Sequence, residues 1–296
     1  MRELHTSNMM SSLFYAVTIA LMVSCSVGKV IDLSHKHGPK TLRSIPGNPG
    51  YNLTNLYKGD SDFGAYVELN YYGTSEHSGT HIDAPSHFTR GGMTLDELPI
   101  ELTIAEGVMI DCSKEAKANH NYAVDVQKLH DFEKTNGEIP KHAAILFYFG
   151  WYPKFDDEAL YRGTPDVKST LSYQYPYVSF EAARWLLEKR SLRTIGSDSL
   201  SPDPFQINGR ASGFPIHILY LPRNITIIEN LRDLDKLPPR GFRFHFSPVK
   251  YVGASGAQVR AYAITTPEGE NKGAGLVHMF TAITLSLTVL FVHTLL

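Results

Sequence analysis

The stretch His77-Ser-Gly-Thr-His81-Ile-Asp83-Ala-Pro85-Ser-His87 constrains this chain more than any other. Three imidazoles and a carboxylate crowd into it, and the apolar filler of a core segment is almost absent. If Thr80 to Asp83 is extended, the alternation of side chains puts His81 and Asp83 on one face. Gly79 permits a tight turn that folds His77 back toward the same point. Pro85 ends regular pairing and sets the path by which His87 reaches the rim. A single exposed histidine needs no explanation, but four ligand-type side chains this close do. Imidazole with carboxylate suits zinc, manganese or iron better than calcium or magnesium. The stretch predicts a metal site.

A chain of 296 residues has room for one large domain or two small ones and for a sizeable core. Apolar residues make up 43% and charged residues 20%, an ordinary globular balance that argues against disorder. A net charge of −2 lacks the basic excess of a nucleic-acid binder. Cys25 falls in a leader. That leaves Cys112, in Gly107-Val-Met-Ile-Asp-Cys112, as a small core residue with no basic neighbour in sequence to activate it.

Both ends carry targeting signals. Arg2 and a polar run precede the apolar segment Leu13 to Val23, and the small residues Ser24, Cys25, Ser26 and Gly28 follow it. Residues 1–28 therefore read as a secretory signal peptide. Leu276 to Leu296 contains no Asp, Glu, Lys or Arg. At helical rise it covers roughly 30 Å, the hydrocarbon thickness of a bilayer. Nothing charged follows it, and Gly273, Ala274 and Gly275 precede it. The tail 273–296 reads as a GPI-attachment signal, with a C-terminal transmembrane helix as the alternative. Two glycosylation sequons, Asn52-Leu-Thr54 and Asn224-Ile-Thr226, agree with the secretory route and an extracellular or surface-anchored location.

Between the ends, 29–272 reads as one domain. Val30 to Leu33 opens a sheet, and residues 35–63, rich in Gly, Pro and Asn, are expected to form a long loop serving as a flap or subunit contact. Ala65 to Tyr72, Val108 to Asp111, Ala143 to Phe149, Leu192 to Gly196, Ile225 to Ile228, Phe242 to Phe246 and Val259 to Ile264 have the composition of strands. Helical spacing marks Ala123 to Phe132 and the segment after Ser179, which can cap it. Phe214 to Leu221 predicts a short helix. This mixture predicts an α/β or α+β domain. His217 on that short helix and Glu229 after the strand Ile225 to Ile228 are the second donor pair. With Asp83 bridging, His77 and His81 can hold one ion, and His217 and Glu229 another.

The pattern His77-x-Gly-Thr-His81-x-Asp83-x-Pro85-x-His87 resembles the signature of the metal-dependent cyclase family, which includes bacterial-type kynurenine formamidase and isatin hydrolase. The resemblance extends from about Val30 to Ile264. Gly91-Gly-Met-Thr-Leu-Asp-Glu-Leu98, Gly150-Trp151 and Glu229-Asn-Leu231 support it. It implies a swivelling β/β/α single domain with a mixed sheet and a homo-oligomer. It also implies His77, His81 and Asp83 as ligands of a first metal, and Asp83, His217 and Glu229 as ligands of a second. His87 would be the catalytic histidine. One or two Zn²⁺ ions are implied by the formamidases and Mn²⁺ by the isatin hydrolases.

The expected reaction is hydrolysis of a small aromatic amide by metal-activated water, as in N-formyl-L-kynurenine to kynurenine and formate. Cyclic-amide opening of the isatin type is the alternative, and a surface-anchored, non-catalytic metal- or ligand-binding protein is the rival class. His87 would protonate the leaving nitrogen. Trp151, at a strand end beside Gly150, is the candidate aromatic wall for the substrate. Asp198 and Asp203 lie in a polar loop, where plain solvation is the leading reading and support of a ligand histidine the lesser one.

Overall fold

The computed structural model describes residues 28–266, and Val30–Ile264 forms one compact unit. The expected signal peptide, apart from residue 28, and the expected C-terminal attachment signal or transmembrane helix at 273–296 lie outside the described residues. Its strands run in chain order as β1 (Val30–Asp32), β2 (Asn52–Asp60), β3 (Tyr66–Gly73), β4 (His81–Asp83), β5 (Ile104–Asp111), β6 (Ala123–Val124), β7 (Ala144–Tyr148) and β8 (Tyr177–Val178). They continue as β9 (Thr194–Ser197), β10 (Gln206–Ile207), β11 (Arg210–Ala211), β12 (Thr226–Glu229), β13 (Phe242–His245), β14 (Gly256–Gln258) and β15 (Tyr262–Thr265).

Nine of them form one mixed sheet, in the order β1-β15-β13-β5-β7-β9-β12-β4-β14. The centre, β5-β7-β9-β12, is parallel, and β12-β4-β14 is antiparallel. Parallel neighbours need crossovers. The helices Val126–Asn136 and Phe180–Arg190 supply two of them, and Pro215–Tyr220 sits in the third. Capping follows the sequence: Asp125 accepts from Lys128 N, and Ser179 accepts from Ala182 N. Ala182, Ala183 and Leu186 then face Ile145, Ile195 and Ile227 in the core beneath the helices. A second core fills the other side of the sheet around Ile82, Leu146, Ile228, Phe242, Phe244 and Phe246. The sheet curls: Ser34, just after β1, bridges Leu231, just after β12, and Val259 N donates to Thr80 O. The α/β fold with a mixed sheet is as expected.

The strand boundaries moved by a few residues, and one expectation fails. Residues 52–60 are not loop but a strand, paired with β3 as a separate antiparallel hairpin. A bulge between Asn55 and Tyr57 breaks the alternation that would have marked it. Among the described residues, no helix is long and apolar enough to cross a membrane. Both sequon asparagines, Asn52 and Asn224, are exposed.

Candidate metal centre

Strand register assembles the site. In the β4–β12 pair His81 lies opposite Glu229 and Asp83 opposite Ile227. Side chains alternate along a strand, so Ile82 enters the second core while His81 and Asp83 share the opposite face. On the far side of β4, Gly256 stands opposite Asp83. A Cβ there would come within 2.5 Å of His77 Cε1, so only glycine leaves room for that ring. Gly79, at φ 61°, makes the tight turn that returns His77.

All five expected metal donors converge. His77 Nδ1 donates to Asp83 Oδ1 at 2.7 Å. His81 Nε2 lies 3.4 Å from both Asp83 Oδ1 and Glu229 Oε2. His217 Nε2 lies 3.3 Å from Asp83 Oδ2 and 3.7 Å from Glu229 Oε1. His87, expected to stand off the ligand set, is closer than that. Its ring stacks on His77 at 3.8 Å, and its donor atom lies within 4.8 Å of those of His77 and Asp83. His81, Asp83 and Glu229 form a second such trio, fully buried.

The electrostatics are those of a cation-binding centre. Burial disfavours a charged His81, yet Asp83 and Glu229 outweigh it and raise the ring's pKa to about 9. Burial likewise opposes charge on His217, but Asp203 and Asp83 raise it to about 10. Burial alone would push Asp83 up, whereas the imidazoles of His217, His77 and His81 hold it well below the usual carboxylate range. Burial and the neighbouring Asp83 raise Glu229 to about 7. His87 is pushed down to about 4, first by burial. Two atoms at the heart of the cluster, His81 Nε2 and Asp83 Oδ2, are buried and make no hydrogen bond. Unsatisfied buried polar atoms of this kind are costly unless something meets them. Imidazole nitrogens and carboxylate oxygens around such a point fit a divalent transition metal.

A second layer of residues aims the ligands. Asp203 is fully buried and accepts from His217 Nδ1 at 2.7 Å and from the amides of Ile216 and His217. That fixes the tautomer with Nε2 facing Asp83. His81 Nδ1 donates to Gly79 O, which also accepts from Asn230 Nδ2. Asn230 Oδ1 in turn accepts from the Tyr161 hydroxyl. Behind His77, Ser255 Oγ lies 3.2 Å from Nε2 and donates to Glu76. Asp198 is buried too and is not solvated. It accepts from the amides of Phe149, Trp151 and Tyr152, and touches no ligand histidine.

The donors open onto a cavity of about 230 Å³ whose apolar wall is Ile45, Phe88, Phe205 and Phe214. Trp151, expected to be that wall, does not line it. Its indole is buried, donates to Tyr161 O and carries Lys154 Nζ 3.0 Å above its face, beside a different cavity. Phe88 directly follows His87, whereas Phe205 and Phe214 come from a segment more than a hundred residues further on, and no local pattern in the chain marked any of the three as a cavity wall.

Residues 31–204 match the cyclase family model, described as "Putative cyclase". The chain belongs to this family. An isatin hydrolase from Roseibium aggregatum is 29% identical over 247 residues, covering 80% of this chain and 91% of that protein. A kynurenine formamidase from Salinibacter ruber is 25% identical, covering 81% and 99%. An isatin hydrolase crystallised with the product analogue thioisatinate superposes with a TM-score of 0.73 at 27% identity, over 87% of this chain and 99% of that one. The cyclase-family match ends at residue 204, before His217 and Glu229. The fold alone brings those two residues to the motif.

Proposed function

We propose that the chain is a metal-dependent hydrolase that opens the C–N bond of a small, uncharged aromatic amide of the isatin type. The observation that carries this reading is the convergence of His77, His81, Asp83, His217 and Glu229 on one side of a small aromatic-walled cavity. When bound, a divalent ion supplies acidity to water and polarises a carbonyl. Phe88, Phe205 and Phe214 would clasp the flat ring of the substrate. His87, neutral at physiological pH because burial depresses its pKa, would take the proton of the attacking water and pass it to the leaving nitrogen. Asp203 and Asn230 would keep their histidines from turning. Zinc and manganese both suit the donor set.

The cavity, about 230 Å³, is smaller than the ~300–1,000 Å³ pockets that take drug-sized ligands. Its lining includes no Arg or Lys to meet the carboxylate of an amino-acid substrate. Both facts favour a compact cyclic amide. The second reading is arylformamidase activity on N-formyl-L-kynurenine, supported by the similarity to a kynurenine formamidase. A non-catalytic binding role is the third. Purified full chain loaded with Zn²⁺ or Mn²⁺ should open isatin, and should lose that activity on chelation and in Asp83→Asn. Faster turnover of N-formyl-L-kynurenine would shift the assignment to the second reading. Turnover of neither amide with stoichiometric metal would leave the binding role. We further propose that this activity lies outside the cell or at its surface, a reading supported by the leader and tail expected from the sequence and by the two sequons. N-terminal sequencing of the secreted form and release by a phosphatidylinositol-specific phospholipase test that placement.

A further inference from the structure

The guanidinium of Arg162 is completely buried at the end of the short helix Glu158–Arg162. A buried cation is costly unless it is paired and hydrogen-bonded. Nε donates to Glu158 Oε1 at 2.9 Å, one turn back on the helix, and the guanidinium carbon lies 4.6 Å from the centre of the Tyr173 ring. The other two nitrogens reach away from the helix. Nη2 donates to Arg43 O at 2.6 Å, and Nη1 donates to Ser44 O at 3.4 Å. Nothing in a short helix demands such contacts of its last residue. A planar fork can serve a carboxylate and two carbonyls at once, which the single ammonium of a lysine cannot.

The two carbonyls belong to a segment that runs along the ligand motif and then turns over the cavity. Gly79 N donates to Leu42 O, Arg43 bridges Ser78, and both the amide and the hydroxyl of Ser44 donate to His77 O. Arg43 Nη1 donates to Asn48 O and closes the turn 43–48 on itself. From that turn Ser44, Ile45 and Asn48 line the cavity. Ile45 belongs to neither core and is 50% exposed, so the backbone of the turn, not packing, sets its place. We propose that Arg162 is a positioning residue for substrate binding. Its buried fork fixes the turn 43–48, and the turn holds Ile45 and Asn48 as the part of the cavity that meets the substrate. This rests on the reading of the cavity as the site of a small aromatic amide, and it assigns a determinant of affinity to a residue that does not itself line the cavity.

The test is a double-mutant cycle on the metal-loaded full chain with isatin and N-formyl-L-kynurenine as substrates. Ile45→Ala removes apolar wall at the cavity and should raise KM by ~10-fold with kcat unchanged. Arg162→Met should do the same without touching the cavity, should leave zinc affinity as in the wild type, and should speed amide hydrogen exchange across 42–50. The variant carrying both changes should show about the KM of the worse single one, because residues that act through one another are not additive. If Arg162→Met does not fold, Arg162→Lys takes its place in the cycle, keeping the charge and losing the fork. KM factors that multiply in the double variant overturn the proposal, since they make Arg162 and Ile45 independent. So does a loss of kcat at unchanged KM, or a loss of zinc affinity, which would place the effect at His77. A wild type that turns over neither amide sinks the reading of the function but not this assignment. Exchange then decides alone, and rates across 42–50 equal to those of the wild type overturn it.

Discussion

Replacing Asp203 with asparagine probes whether the buried carboxylate works for the metal centre or only for the fold. Asp203 Oδ2 accepts from His217 Nδ1 at 2.7 Å and from His217 N at 2.9 Å, and Oδ1 accepts from Ile216 N at 2.9 Å. The amide keeps one acceptor oxygen and turns the other position into a donor facing an N–H. One charge-assisted hydrogen bond is lost, which contributes about 1.5–3 kcal/mol to stability. The freed His217 ring should also cost the centre tenfold to a hundredfold in metal affinity, about 1.4–2.8 kcal/mol. Asp198→Asn is the control. Asp198 is as deeply buried and accepts three amide hydrogen bonds, but it meets no ligand histidine. Urea midpoints should fall in both variants. Zinc affinity, measured by competition with a chromophoric chelator, should fall only in Asp203→Asn. Equal losses of affinity in the two variants, or none in Asp203→Asn, would refute the assignment of Asp203 as the residue that aims His217.

Three further outcomes are expected. Without metal, His81 and His217 titrate near 9 and 10, so at neutral pH both rings carry protons that a metal ion must displace. Metal affinity should climb with pH up to that range, and calorimetry in buffers of different ionisation enthalpy should detect the released protons. Gly256→Ala drives a methyl group into His77 Cε1 and should cut metal affinity and turnover together, whereas Gly38→Ala, with open space around it and no left-handed φ, should leave the centre alone. His35, stacked on Phe155 at 3.7 Å, has its pKa lowered to about 4, first by burial. The unfolded chain therefore takes up this proton first as pH falls, so the contribution to stability is full above about 6.5 and disappears as pH drops toward 4. His35→Phe should flatten that part of the denaturation profile, and an unchanged slope would count against it.

How much of this was legible in the chain depended on distance along it. His77, His81, Asp83 and His87 declare themselves because one short strand and its flanking turns hold them together, and alternation alone predicts the shared face. His217 and Glu229 gave a weaker signal, since each alone looks like a polar residue at the end of an element and only the pairing with the first stretch gives them weight. Asp203, Asn230, Ser255 and Gly256 were out of reach of local reasoning. Their roles come from the crossing of β4 by β12 and β14, which no periodicity encodes. Asp198 and Asp203 misled for a related reason: a run of Ser, Asp and Pro reads as solvated, yet the sheet closes over it and backbone amides take up its carboxylates. Trp151 misled because a tryptophan at a strand end can face either way, and here its indole serves packing. The hairpin was missed because the bulge at Leu56 and the Asn and Gly residues around it imitate a loop.

The ladder between β4 and β12 has one more consequence. Each donor on these strands is followed or preceded by an isoleucine, Ile82 or Ile228, that belongs to the oily interior on the other side. A slip of a single position would keep almost every backbone hydrogen bond and still exchange imidazole and carboxylate for hydrocarbon at the mouth of the cavity. Misalignment of this kind would be invisible to circular dichroism yet would silence the molecule. The capacity to take up an ion is thus a direct report on whether the two strands have found their proper partners.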